Sequence, residues 1–176
     1  VAGACEQVPV LAGAALGRQA ALWSMGGVAL ALGMLVYLAD RPAGHAQWMP
    51  QLGFLAGHHG FGRVGQWLPS FVHAWAFSLF SAALLAPRQR WALGACGFWF
   101  AVNAAFEIGQ HPRVREPLAA ALQDGFGHGL VARAFQNYLL RGTFDVGDIV
   151  AAACGAVLAA GLLYGLRIRK GRHHAP

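Results

Sequence analysis

The sequence predicts an all-α integral membrane protein: one domain spanning residues 1–176, folded as a four-helix bundle with both termini cytoplasmic. Three observations predict it: few charges, four long apolar runs, and basic residues gathered at one set of run ends. Of 176 residues, 57% are hydrophobic and 11% charged, where a soluble domain carries about 25% charged residues. The runs cover about 20–39, 66–86, 91–110 and 149–166. The first holds twenty residues without a charge, the second twenty-one with a single histidine, and the last eighteen. The third has sixteen before Glu107 and twenty when Glu107 and Gln110 are included. At about 1.5 Å per residue, each run is long enough as a helix to cross roughly 30 Å of hydrocarbon.

Charge placement sets the expected orientation. Arg18 precedes the first run, Arg88 and Arg90 lie between the second and third, and Arg167, Arg169, Lys170 and Arg172 follow the fourth. Only Glu6 opposes them on that side, while six arginines on the other side face six carboxylates. An excess of basic residues beside span ends marks the cytoplasmic face. The net charge of +6 is therefore a topology signal, and nucleic acid is not an expected partner. Trp67, Trp91 and Tyr37 fall near the run ends, where amphipathic rings settle at the membrane–water boundary.

Between the runs, the glycine- and histidine-rich stretch GHHGFGRVG argues against regular helix in the first outer loop. Pro87, followed by Arg88 and Arg90, marks a tight turn that makes the second and third runs an antiparallel pair. In the second outer loop, Leu118–Leu140 repeats apolar positions at helical spacing and predicts one or two short amphipathic helices on the membrane surface or over the bundle end. The first eighteen residues read as a short helix-compatible segment at the interface. Small residues fill AAACGAVLAAG in the last run and favour close helix packing.

The polar residues inside this frame converge in depth. Asn103, Glu107 and Gln110 recur at steps of four and three, so they share one helix face. Counted from the outer ends, His73 in the second run and Glu107 in the third reach a similar level. Asp148 opens the fourth run, with Asp145 and Arg141 just before it. A carboxylate at partial membrane depth is costly unless it is paired or faces a wet cavity. Two readings follow. In one, Glu107 pairs with His73 or Arg141, and Asp148 caps the last helix. In the other, these groups line a shallow outward-facing pocket. There His73 and Glu107 are the catalytic candidates for proton transfer, and Asn103, Gln110, Arg141, Asp145 and Asp148 are ligand contacts.

Other constellations carry less. Cys5, Cys96 and Cys154 have no metal-ligand spacing and read as small buried side chains. His45, His58 and His59 lie in the glycine-rich loop without a partnering cysteine or carboxylate, so no metal site is expected. A membrane haem would need two histidines at matching depth, and His73 alone lies well inside a run, with His111 at the surface end of the third. No cofactor is expected.

Three motifs in chain order resemble the VanZ-like family of small bacterial membrane proteins, named after a teicoplanin-resistance protein. They are PSFVHAWAFSLFSAALL with His73, NAAFEIGQ with Glu107 and Gln110, and RGTFDVGDIVAAACGAVLAAG with Arg141, Asp145 and Asp148. The likeness covers roughly Pro69–Gly161. It departs from the family pattern at Ala152, where the family usually has Asn, and in the thirty residues between Gln110 and Arg141, where the family's link is short. The resemblance implies a multi-pass protein of the bacterial cytoplasmic membrane and a link to glycopeptide tolerance. Two functions are in view: binding of, or action on, an envelope lipid or polar ligand at the outer leaflet, or an accessory role in a larger complex. The expected partners are membrane lipid and, on the second view, other membrane protein subunits.

Overall fold

In hydrocarbon no water is available to satisfy peptide groups, so an apolar chain of this composition closes its backbone hydrogen bonds within helices. The computed structural model does so throughout. It describes residues 7–40, 60–85, 89–127 and 129–172, with side chains described for 16–40, 60–85, 90–127, 129–166. Six helices follow in order: α1 (Gln7–Asp40), α2 (Gly62–Leu85), α3 (Gln89–Gly109), α4 (Arg115–Phe126), α5 (Leu130–Arg141) and α6 (Val146–Arg172). Four of them contain segments long and apolar enough to cross a membrane: Leu16–Asp40, Gly62–Leu85, Arg90–Gly109 and Val146–Leu166. The expected helix-compatible segment at the start is not separate, because α1 runs unbroken from Gln7. The stretch Phe61–Gly65, expected as loop, holds the start of α2, which opens on Gly62 at a φ of 51°. A left-handed residue there is inexpensive only for glycine. Most of the glycine- and histidine-rich loop, with His45, His58 and His59, lies outside the described residues, as do Pro87 and Arg88 of the turn between α2 and α3.

The long helices do not close a ring. α2 packs against α1, α3 and α6, and α3 packs against α6, while α1 rests chiefly on α2. A three-helix core of α2, α3 and α6 therefore carries α1 on one flank. Small residues set the spacing. On α1, Gly26 lies against the Phe80 ring and Gly33 against Val72. On α6, Gly155 lies against the backbone carbonyl of Phe71, while Gly161 faces open space. The core is built of alanines with a few leucines, among them Ala74, Leu79, Ala82, Ala152 and Ala159. With so little side-chain volume between them, helices attract by close backbone approach and dispersion.

Polar groups within the spans find local acceptors or donors. Ser78 donates to the Ala74 carbonyl at 2.6 Å, and Gln19 Nε2 donates to the Ala83 carbonyl at 2.9 Å. Trp99 Nε1 donates to Ser81 Oγ at 2.9 Å, and its indole stacks on Phe77 at 4.7 Å, tying α3 to α2. Trp23 stacks on Phe80 at the same 4.7 Å separation and ties α1 to α2. The outer faces are the reverse of a soluble protein's. Leu84 and Val157 are both 68% exposed, with Val28, Leu32, Phe98 and Leu158 among many others left bare by the chain itself. A contiguous apolar surface of this extent is stable against lipid and not against water.

Candidate functional site

At one end of the core, α2 and α6 begin, α3 ends, and the α4–α5 hairpin is attached. Three carboxylates, Glu107, Asp145 and Asp148, collect here. Asp145 sits in the extended link between α5 and α6, just before Val146. Its Oδ1 accepts from the Gly147 amide at 2.7 Å, an Asx-type turn that caps the start of α6. Its Oδ2 accepts from Trp67 Nε1 at 2.9 Å, which pins α2 to the same point. Gly147 is required there, because any β-carbon would fall on the Trp67 indole. The two N–H donors, with the Arg63 guanidinium nearby, hold the Asp145 carboxyl below the ordinary carboxylate range, the Trp67 bond contributing most.

Glu107 joins from α3. Its Oε2 accepts from the Asp145 amide at 3.2 Å. One turn into α6, Asp148 Oδ1 accepts from Ser70 Oγ of α2 at 2.6 Å. Both aspartates lie within electrostatic reach of Glu107. Gln110 is only 5% exposed. It packs against Gly142, where a β-carbon would collide with its carboxamide, and it shares a side-chain hydrogen bond with Tyr138 of α5. The Tyr138 phenol is pushed above its ordinary range, first by burial and then by the Glu107 charge. Tyr37 of α1 also reaches this group.

Of the residues singled out in the sequence, four meet here: Glu107, Gln110, Asp145 and Asp148. Asn103 stands one turn deeper, and its Nδ2 donates to the Trp99 carbonyl of its own helix at 2.8 Å. Arg141 is exposed at the end of α5, and Glu107 takes a backbone amide in the place expected for the guanidinium. His73 is exposed on α2, its ring 6.0 Å from Phe77, and no hydrogen bond joins it to Glu107 among the described residues. His111 faces Phe144 at 5.0 Å and accepts at Nδ1 from the Arg113 amide at 3.2 Å, which shapes the turn after α3. Trp67, Ser70 and Tyr138 complete the cluster. Trp67 was legible only as an interfacial aromatic. That Trp67 and Ser70 sit one turn apart on α2, at the level where Asp145 and Asp148 enter, is the signal that could have found them.

The cluster is an acceptor-rich one. Ionised carboxylates offer only acceptors, so a group that meets them brings donors, such as an ammonium or a hydroxyl. Among the described residues no group of three or more His, Cys, Asp or Glu is placed to hold a metal ion.

Fold and cluster together define a class: a multi-pass α-helical membrane protein with three acidic side chains gathered at one end of its spans. Beyond that class the comparisons add no relative, since no protein-family model, no characterised protein and no solved structure matches the chain.

Proposed function

We propose that this is a VanZ-like protein of the bacterial cytoplasmic membrane, with both termini inside and the carboxylate cluster at the outer leaflet. There it binds the donor-bearing head group of an envelope lipid. The observation that carries this reading is the meeting of Glu107, Asp145 and Asp148 from two long helices and their link. Three carboxylates at a span end are expensive unless something compensates them. An ammonium or polyhydroxyl head group does so while its acyl chains lie along the bare faces of α3 and α6. Phosphatidylethanolamine fits this description, and so does a glycosylated lipid. Proton transfer would fall to Glu107, since His73 stands away from the cluster.

A second reading has its own support. Asp145 and Asp148 already receive donors from Trp67, Gly147 and Ser70, which suits a structural knot in an accessory subunit.

Native mass spectrometry after mild extraction into nanodiscs separates the two. Head-group binding predicts a retained amine- or hydroxyl-bearing lipid on the wild-type chain and its loss in Glu107→Gln. Fixed-stoichiometry co-purification with other membrane proteins, with lipid content indifferent to Glu107→Gln, sinks the head-group reading.

A further inference from the structure

The α4–α5 hairpin reaches beyond the core and exposes an apolar stripe along α5, with Leu130 at the helix start and Leu140 exposed outside it. Val131, Phe135 and Tyr138 of α5 recur at steps of four and three, which aligns them on one face. Val131 is 81% exposed and Tyr138 46%. On the opposite side Arg133, Asn137 and Arg141 recur at steps of four, and all three are exposed. A third direction is already used: Gln136 Nε2 donates to the Ala119 carbonyl of α4 at 3.1 Å, and Ala132 and Leu139 are buried.

The level of α5 is fixed by its contacts with α3. Leu139 presses on Gly109, the last residue of the third span, and Phe106 meets both Phe135 and Tyr138 with ring centroids 5.6 Å away. Phe106 is itself exposed on the outer side of its span. The apolar stripe of α5 is thus continuous, ring to ring, with the lipid-facing flank of α3 at the membrane boundary. Continuity decides what covers it. A protein partner or a second copy would have to interrupt that lipid-facing band, whereas the leaflet extends it without a break.

We infer that α5 is an interfacial helix seated in the lipid leaflet, its Val131–Phe135–Tyr138 face in the acyl region and Arg133 and Arg141 at head-group level. Helices so placed sink roughly 5–10 Å into the boundary, with cations on the polar face contacting lipid phosphates. This inference does not rest on the head-group reading: it concerns how α5 meets the leaflet, and only Tyr138, at the near end of the stripe, also reaches the cluster through its hydrogen bond with Gln110.

Single spin labels at Val131→Cys and Asn137→Cys test it, in a chain carrying Cys5→Ser, Cys96→Ser and Cys154→Ser, reconstituted in phosphatidylcholine–phosphatidylglycerol vesicles. Power-saturation electron paramagnetic resonance reads each label's access to oxygen, which concentrates in acyl chains, and to a water-soluble nickel chelate. The Val131 label should favour oxygen over nickel several-fold, and the Asn137 label the reverse. Equal nickel access at both sites means that α5 stands in water. A Val131 label shielded from both reagents means that protein covers the face. Either result overturns the inference. Both positions are exposed and tolerate a label.

Discussion

Replacing Gly155 by alanine adds one methyl group where the structure has no room for it. The new carbon would fall on the carbonyl oxygen of Phe71 in α2. A clash with a flexible side chain is relieved by a rotamer change, but a backbone carbonyl moves only with its helix. α6 must therefore back away from α2 along an interface built of alanines such as Ala74, Ala152 and Ala159. Overpacking a tight core costs about 1–3 kcal/mol. Alanine gains roughly 0.5–1 kcal/mol over glycine through helix propensity, which leaves a net loss of about 1 kcal/mol at the middle of these ranges. Gly161, six residues further along the same helix, supplies the control, since nothing lies within 4 Å of a β-carbon built there. Gly161→Ala should be neutral or stabilising by the propensity gain alone. Thermal unfolding in one detergent or nanodisc preparation reads the contrast. For a chain of this size about 1 kcal/mol corresponds to roughly 2–4 °C, so the two variants should move in opposite directions. A Gly155→Ala protein as stable as Gly161→Ala would refute the close approach of α2 and α6, and with it the arrangement that brings Ser70 to Asp148.

Three further outcomes follow from the cluster. Because Asp145 titrates below the ordinary carboxylate range, its stabilising contribution is complete above the unfolded value of about 3.9 and is lost only as pH falls through the lower folded value. The Trp67 indole N–H resonance, assigned by Trp67→Phe, should stay fixed from neutral pH to below 3.9 and then move, and Asp145→Asn should abolish that step. Tyr138, held up by burial and by the Glu107 charge, should ionise at lower pH in Glu107→Gln. The return should be partial because burial remains, and phenolate absorbance referenced to Tyr138→Phe measures it. Gly142→Ala should displace the Gln110 carboxamide and cost on the order of 1 kcal/mol, about one hydrogen bond. The cost should vanish in a Gln110→Ala background, which a double-mutant cycle of unfolding free energies reads directly.

The helices were legible because apolar length is a strong signal in a sequence so poor in charge. The third run, 91–110, corresponds to Arg90–Gly109, and the fourth, 149–166, to Val146–Leu166. Leu118–Leu140 resolves into α4 and α5, the two short helices its spacing suggested. The meeting of Glu107 with Asp145 and Asp148 was legible too, since counting residues from span ends gives depth whatever the rotation of each helix. Rotation was not legible. α2 is apolar nearly all round, so nothing in its spacing says which residues face α6. Val72 and Phe80 turn to Gly33 and Gly26 of α1, Ser70 turns to Asp148, and His73 is left at the surface. The order of neighbours within the expected bundle was likewise not legible, and α1 meets α2 through those two glycines.

Deleting Asp148 would release Ser70, but deleting Asp145 would release Trp67, the cap on Gly147 and the amide that Glu107 accepts from, if the link rearranged. Asp145 therefore connects α2, α3 and α6, although it lies outside every span and is itself half-buried. Glu107 depends on the Asp145 backbone rather than on its side chain, so Asp145→Asn keeps Glu107 in place while removing a charge. The two carboxylates can thus be separated experimentally. Any ligand effect of Glu107→Gln that Asp145→Asn does not share belongs to the Glu107 carboxylate and not to the knot beneath it.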